Sequence, residues 1–242
     1  MLSIARVPAA ATARGVLPWA PLVGLVLGAV AAAVGWLGGR YATPLVGAVL
    51  AVAALAALTR GLHLDGLADT ADGLGPLRGR ERALAVMRAG DVGPFGVVTL
   101  VLVLLLQVAC LAQLLLVDGG WLALPAAVVA ARVAMARAGL PGTPIADGSS
   151  LGAAVAGTVS RRWLVGSALV VLATTAAAAL GTGDDLDQAV RLTAALVVGW
   201  LAAEGLHRRV RARLGGVNGD VMGATGEVTA TVALLAAAVL LG

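Results

Sequence analysis

Residues 94–117 read PFGVVTLVLVLLLQVACLAQLLLV, 24 positions without a charged side chain. Wound as a helix rising about 1.5 Å per residue, they reach roughly 36 Å, enough to cross a hydrocarbon core of about 30 Å. That reading decides the fold class, because the rest of the chain repeats it. Further apolar runs lie at 16–38, 42–58, 121–136, 163–180, 189–203 and 228–242. The expectation is an all-α, polytopic integral membrane protein of about seven transmembrane helices, built as one membrane-embedded domain over 1–242. Composition agrees. The chain is 60% hydrophobic and 12% charged, whereas soluble domains run near a quarter charged. The single cysteine, Cys110, excludes an internal disulfide and a cysteine metal site. No feature points to nucleic acid, and the lipid bilayer is the expected surrounding.

Charge placement orients the spans. All 17 basic residues are arginines. Taken alternately, the N-terminal segment and the segments 60–93, 137–162 and 205–220 hold 2, 5, 3 and 4 of them. The opposite set holds Arg40 against Asp118, Asp184, Asp185 and Asp187. Positive loops stay inside, so the N-terminus is expected in the cytoplasm. The apolar 151–159 stretch is too short to span, and an interfacial or re-entrant piece is expected there.

One cytoplasmic segment departs from this apolar grammar. Residues 61–74 read GLHLDGLADTADGL and carry three carboxylates within eight positions. On a helix Asp69 lies about 40° from Asp65 and Asp72 about 20° to the other side. The three then share one face and repel unless a cation neutralises them. Mg²⁺ is held by one or two carboxylates together with substrate phosphate, so Asp65, Asp69 and Asp72 are the candidate metal ligands. The plain alternative is a solvated acidic face, which charge beside membrane spans disfavours. Gly66 and Gly73 each follow an aspartate, and close approach of substrate to the backbone is one reading. Helix packing is the other. His63 falls about 200° from Asp65 on a regular helix; it is kept as a catalytic candidate beside a purely structural role.

A second polar element, 215–220 (GGVNGD), lies on the same expected side. Its glycines allow a tight loop whose amides could face an anion. Asp220 is a candidate fourth carboxylate, serving metal or taking a proton, with Asn218 and Gly219 beside it at the substrate. Glu227, seven residues on, falls on the same helical face as Asp220. Arginine binds phosphate through two donors, and Arg60 and Arg88 are the candidates nearest these elements. Topology and anionic lipid account for the remaining arginines. Clustered carboxylates, a divalent ion and arginines at a membrane face suit phosphoryl-group transfer.

The run from His63 to Gly73 resembles the signature of the cobalamin synthase family, the adenosylcobinamide-GDP ribazoletransferases. Met87-Arg88 with Gly93-Pro94-Phe95-Gly96, Ala131-Arg132, and Gly215 to Ala224 resemble further family pieces in the same order. Ala89 stands where that family often has an aspartate, with Asp91 two positions on, and Asn218 stands where threonine is usual. The resemblance implies an Mg²⁺-dependent enzyme that joins adenosylcobinamide-GDP to α-ribazole, or to α-ribazole 5′-phosphate, and releases GMP. It implies a site facing the cytoplasm at the inner membrane of a bacterium; on the reading of the residues themselves, Asp72, Asp220 and His63 are the catalytic candidates. A homodimer is a further expectation. Two other readings stand beside it. A CDP-alcohol phosphatidyltransferase also uses a glycine-spaced aspartate cluster, but its usual Ala-Arg after the first Asp-Gly is here Ala68-Asp69. A divalent-cation transporter would place its carboxylates near the bilayer midplane, not at a span boundary beside arginines.

Overall fold

A proline or a polar cap opens several of the apolar runs, and helices follow. The computed structural model describes residues 15–75, 79–181 and 186–242. Arg6, Arg14, Arg78, Asp184 and Asp185, which entered the charge argument, lie outside the described residues. Helix α1 (Ala20–Tyr41) has Pro21 in its first turn, where no backbone donor is lost. Thr43 caps α2 (Pro44–Leu58), its hydroxyl accepting from Val46 N–H at 3.2 Å. Arg60 and Gly61 then take positive φ, 54° and 70°, and this left-handed pair turns the chain through 89° into α3 (Leu62–Leu74).

After α3 come α4 (Arg80–Met87), α5 (Pro94–Leu114), α6 (Ala123–Ala136) and the single-turn α7 (Ser150–Val155). The chain ends with α8 (Arg161–Gly181), α9 (Leu186–Leu214) and α10 (Gly219–Leu241). Among the described residues six helices are long and apolar enough to cross a membrane, and the bent pair α2–α3 makes a seventh if counted as one span. The all-α expectation holds: among the described residues the only strand-like pairing is one parallel bridge between Ile145 and Val217.

Packing follows side-chain size. The buried face of α1 is Gly24, Gly28, Ala31 and Gly35, spaced three or four apart, which lets α2 and α6 approach closely. The opposite face exposes Leu22, Val23, Leu25 and Val26, as expected of a surface that meets lipid. One apolar core joins α1, α2, α5, α6, α8, α9 and α10 through the bundle. A second, built from Leu84, Met87, Ala146, Val155, Leu214 and Val221, closes one end of it.

Three boundaries differ from expectation. The basic 208–213 segment is helical, because Val210 and Leu214 are buried and carry α9 on past 203. Helix α10 starts at Gly219, so Asp220 is helical rather than in the loop. The polar 75–93 segment contains α4, whose Ala83, Leu84 and Met87 join the second core.

Candidate active site

The acidic stretch is helical, and α3 lies against α10 and α5. The crossing with α10 is set by absent side chains. A Cβ at Gly66 would stand 2.6 Å from the Asp220 carbonyl oxygen, and one at Gly223 would stand 3.1 Å from the His63 Cα. Side chains at these two positions would push the helices apart. Their omission brings Asp220, in the first turn of α10, onto the face that carries Asp65 and Asp69. Asp69 is only 9% exposed and lies in the field of Asp220, Asp65 and Asp72. Asp65 is exposed and also acts on Asp220.

Asn218 caps α10. Its Oδ1 accepts from Val221 N–H at 2.9 Å, while its Nδ2 donates to Asp220 Oδ2 at 2.9 Å. One side chain thus opens the helix and orients the carboxylate beside it. Asparagine does here what threonine's shorter hydroxyl does only for the helix end.

Asp72 shares the α3 helix but has a different occupation. Its Oδ2 accepts from Gly93 N–H at 2.7 Å and its Oδ1 from Gly96 N–H at 3.0 Å. Gly93 is the N-cap of α5 and has no side chain to offer, so Asp72 supplies the cap from another helix and meets the positive end of the α5 dipole. The carboxylate is buried. A Cβ at either glycine would collide with it, which explains both glycines of Gly93-Pro94-Phe95-Gly96.

Several expected contacts are used up by the fold. His63 is not among the carboxylates: Arg132 Nη1 donates to its Nε2 at 2.6 Å, inside the bundle. This follows from its angular position, opposite Asp65 on the helix. Gly66 and Gly73 are buried and serve packing rather than substrate, Gly73 lying where a Cβ would meet Met87 Sδ at 2.7 Å. The glycine loop is not an open anion nest, since Val217 N–H donates to Pro144 O at 2.9 Å and Ala146 N–H to Val217 O at 3.1 Å. Gly215, at φ 79°, lies beneath the Arg80 guanidinium. Arg60 is exposed at the α2–α3 bend. Arg88 is exposed and donates to the Asp147 carbonyl at 3.4 Å. Gly219 packs beside Leu151, 3.1 Å from where its Cβ would lie. Glu227 shares α10 with Asp220 but binds Gln107 at 3.0 Å, deeper in the bundle.

The 141–149 segment had no signal strong enough to mark it as a brace. It pairs with Val217 through backbone alone, and its Asp147 receives Arg80 at 3.2 Å. It thereby ties α4 to the start of α10.

Two observations test the group for a hard divalent cation. Among the described residues no hydrogen bond or ion pair occupies the Asp65 or Asp69 carboxylate, and a nearly buried carboxylate among like charges is costly unless compensated. Among the described residues no three His, Cys, Asp or Glu side chains are arranged to hold a metal ion together, so Asp65, Asp69 and Asp72 do not form a three-ligand set. Mg²⁺ is ordinarily held by one or two carboxylates plus phosphate and water, so the donor set fits that mode.

Comparison with known proteins bears on the chain as a whole. The model of the cobalamin-5-phosphate synthase family matches residues 1–238. The adenosylcobinamide-GDP ribazoletransferase of Frankia casuarinae is 41% identical over 230 residues, covering 89% of this chain and 82% of the relative. That of Nocardioides sp. is 40% identical over 93% of this chain and 87% of its own length. That of Bradyrhizobium diazoefficiens is 37% identical over 97% and 88%. No solved structure matches the chain. With a family match running nearly end to end and relatives similar over most of their length, the chain belongs to the cobalamin-5-phosphate synthase family.

Proposed function

We propose that the protein transfers the adenosylcobinamide-phosphate group of adenosylcobinamide-GDP to α-ribazole, or to α-ribazole 5′-phosphate, and releases GMP. The observation that carries this reading is the meeting of Asp65 and Asp69 with Asp220 across the α3–α10 crossing, in a chain whose relatives bear that enzyme's name.

Asp65 and Asp69 are proposed to hold Mg²⁺, which when bound would neutralise the pyrophosphate of the nucleotide substrate. Asp220, held by Asn218, would take the proton of the attacking ribazole 3′-hydroxyl as its oxygen bonds to the cobinamide-linked phosphorus. The bond from that phosphorus to the bridging oxygen breaks, and GMP departs with the electron pair. Asp72 acts indirectly, holding α3 to the start of α5. Arg80 and Arg88 line the same end of the molecule through Asp147, where anionic substrates would arrive.

The proposed setting is the inner membrane of a bacterium with this end facing the cytoplasm. The arginine-rich segments after α3 and at the end of α9 support it, because they fall at the same end as the carboxylates. Homodimerisation is proposed separately. A groove of about 1310 Å³ between α1, α6 and α8 offers an apolar face for it, and cross-linking in the native membrane tests it.

The reaction is tested with purified protein in detergent, adenosylcobinamide-GDP, α-ribazole and Mg²⁺. Asp65→Asn is expected to abolish GMP release while the variant remains folded. Near-normal turnover would remove Asp65 from the site.

A further inference from the structure

Arg132 is the charge that the site does not use. It is 8% exposed within α6, between Ala131 and Val133. A guanidinium stays protonated and has only donors, so enclosing it among apolar helices is costly unless it is paired. Its Nη1 donates to Met135 Sδ on its own helix at 3.2 Å, and its other neighbours come from different helices. Nη1 donates to His63 Nε2 on α3 at 2.6 Å. It lies in the field of Glu227 on α10 without an ion-pair contact to it. Glu227 is in turn held by Gln107 of α5 at 3.0 Å, and Gln107 also donates to Thr231 Oγ1 at 2.8 Å. The stem lies on α1 at Gly24, where a Cβ would stand 2.6 Å from Arg132 Cγ. A cavity of about 50 Å³ is lined by His63, Gln107, Arg132 and Glu227 together.

We propose that Arg132 is the positioning residue that fixes the first turn of α3, and with it Asp65 and Asp69, at the α10 crossing. His63 is clasped on two sides. Gly223 of α10 admits its backbone, and Arg132 takes its ring. Asp65 follows two residues later and Asp69 one turn beyond that. Helix α3 needs such a hold. It leaves α2 at 89° through a left-handed turn, and the exposed Leu62 opens it. Misplacing a reacting constellation by about 1 Å costs on the order of 100-fold in rate.

This inference rests on the proposed function for its kinetic readout, and a second readout stands apart from activity. Arg132→Met leaves the Glu227 charge without a counter-charge, with Gln107 still donating to it, and is expected to unfold readily. Arg132→Met combined with Glu227→Gln removes both charges and should return the thermal midpoint toward wild type. The tether predicts that this double variant still turns over about 10- to 100-fold more slowly, mainly in kcat, and that Arg132→Lys recovers part of the loss. It also predicts faster hydrogen exchange in α3 amides than in wild type, with α10 little changed. Wild-type turnover and wild-type α3 exchange in the double variant would overturn it and leave Arg132 as charge balance for Glu227. Absence of GMP release from the wild-type protein would count against the reaction instead, and the exchange comparison would still decide the tether.

Discussion

The Asp72 carboxylate and the Gly93 amide are 2.7 Å apart, a hydrogen bond spanning 21 positions of the chain. With the second bond to Gly96 it makes an aspartate of the acidic helix into the N-terminal cap of the longest uncharged run. The two family-like pieces His63–Gly73 and Gly93–Gly96 are therefore one structural unit.

Asp72→Ala should destabilise the protein by about 3 kcal/mol, since two bonds to a charged acceptor are lost and two amides are left unpaired. Thermal unfolding in detergent would register this as a lower Tm. Asp65→Asn, at an exposed carboxylate, should leave Tm unchanged. Equal Tm for wild type and Asp72→Ala would deny the capping role.

Gly96→Ala tests the same joint from the other side. The added methyl meets the Asp72 carboxylate and the Ala68 backbone, so a loss of about 1–3 kcal/mol is expected from overpacking. Unfolding midpoints would show it, and an unaffected midpoint would mean that α5 can slide away freely.

Asn218→Ala should cost about 1 kcal/mol for the lost α10 cap and should reduce turnover by freeing Asp220. Asn218→Thr should recover the stability more fully than the turnover, because its hydroxyl can cap the helix but has no amide to hold Asp220. Kinetics and unfolding measured on both variants separate the two effects. Recovery of both by threonine would show that Asp220 needs no such hold.

Much of this was legible in residue order. The apolar runs announced the bundle, and the four-and-three spacing of Asp65, Asp69 and Asp72 announced a helix with one acidic face. The apolar run at 228–242 does not disclose that α10 starts at Gly219 under an Asn218 cap. What sequence could not reach was long-range. Nothing local reveals that Asp72 is spent on Gly93 and Gly96, that Gly66 is empty for the sake of Asp220, or that His63 meets Arg132 across the bundle. The 208–213 arginines read as a loop, because charge interrupts the apolar run that ends at 203, yet Val210 and Leu214 on the other face hold the segment in α9.

Asp69→Asn addresses the proposed metal ligands. Loss of about 100-fold or more in turnover is expected, with higher Mg²⁺ needed for half-maximal rate, because a main source of charge stabilisation is weakened. A rate loss without any change in Mg²⁺ dependence would assign Asp69 another role.

The most direct test of the central claim is GMP release from adenosylcobinamide-GDP by the purified wild-type protein, with α-ribazole present, in matched samples with Mg²⁺ and with EDTA. The carboxylate cluster of α3 and α10 predicts GMP and a cobalamin product in equal amounts with Mg²⁺, and neither with EDTA. Undiminished turnover in EDTA would contradict a metal held by Asp65 and Asp69, and GMP without a cobalamin product would contradict the transfer.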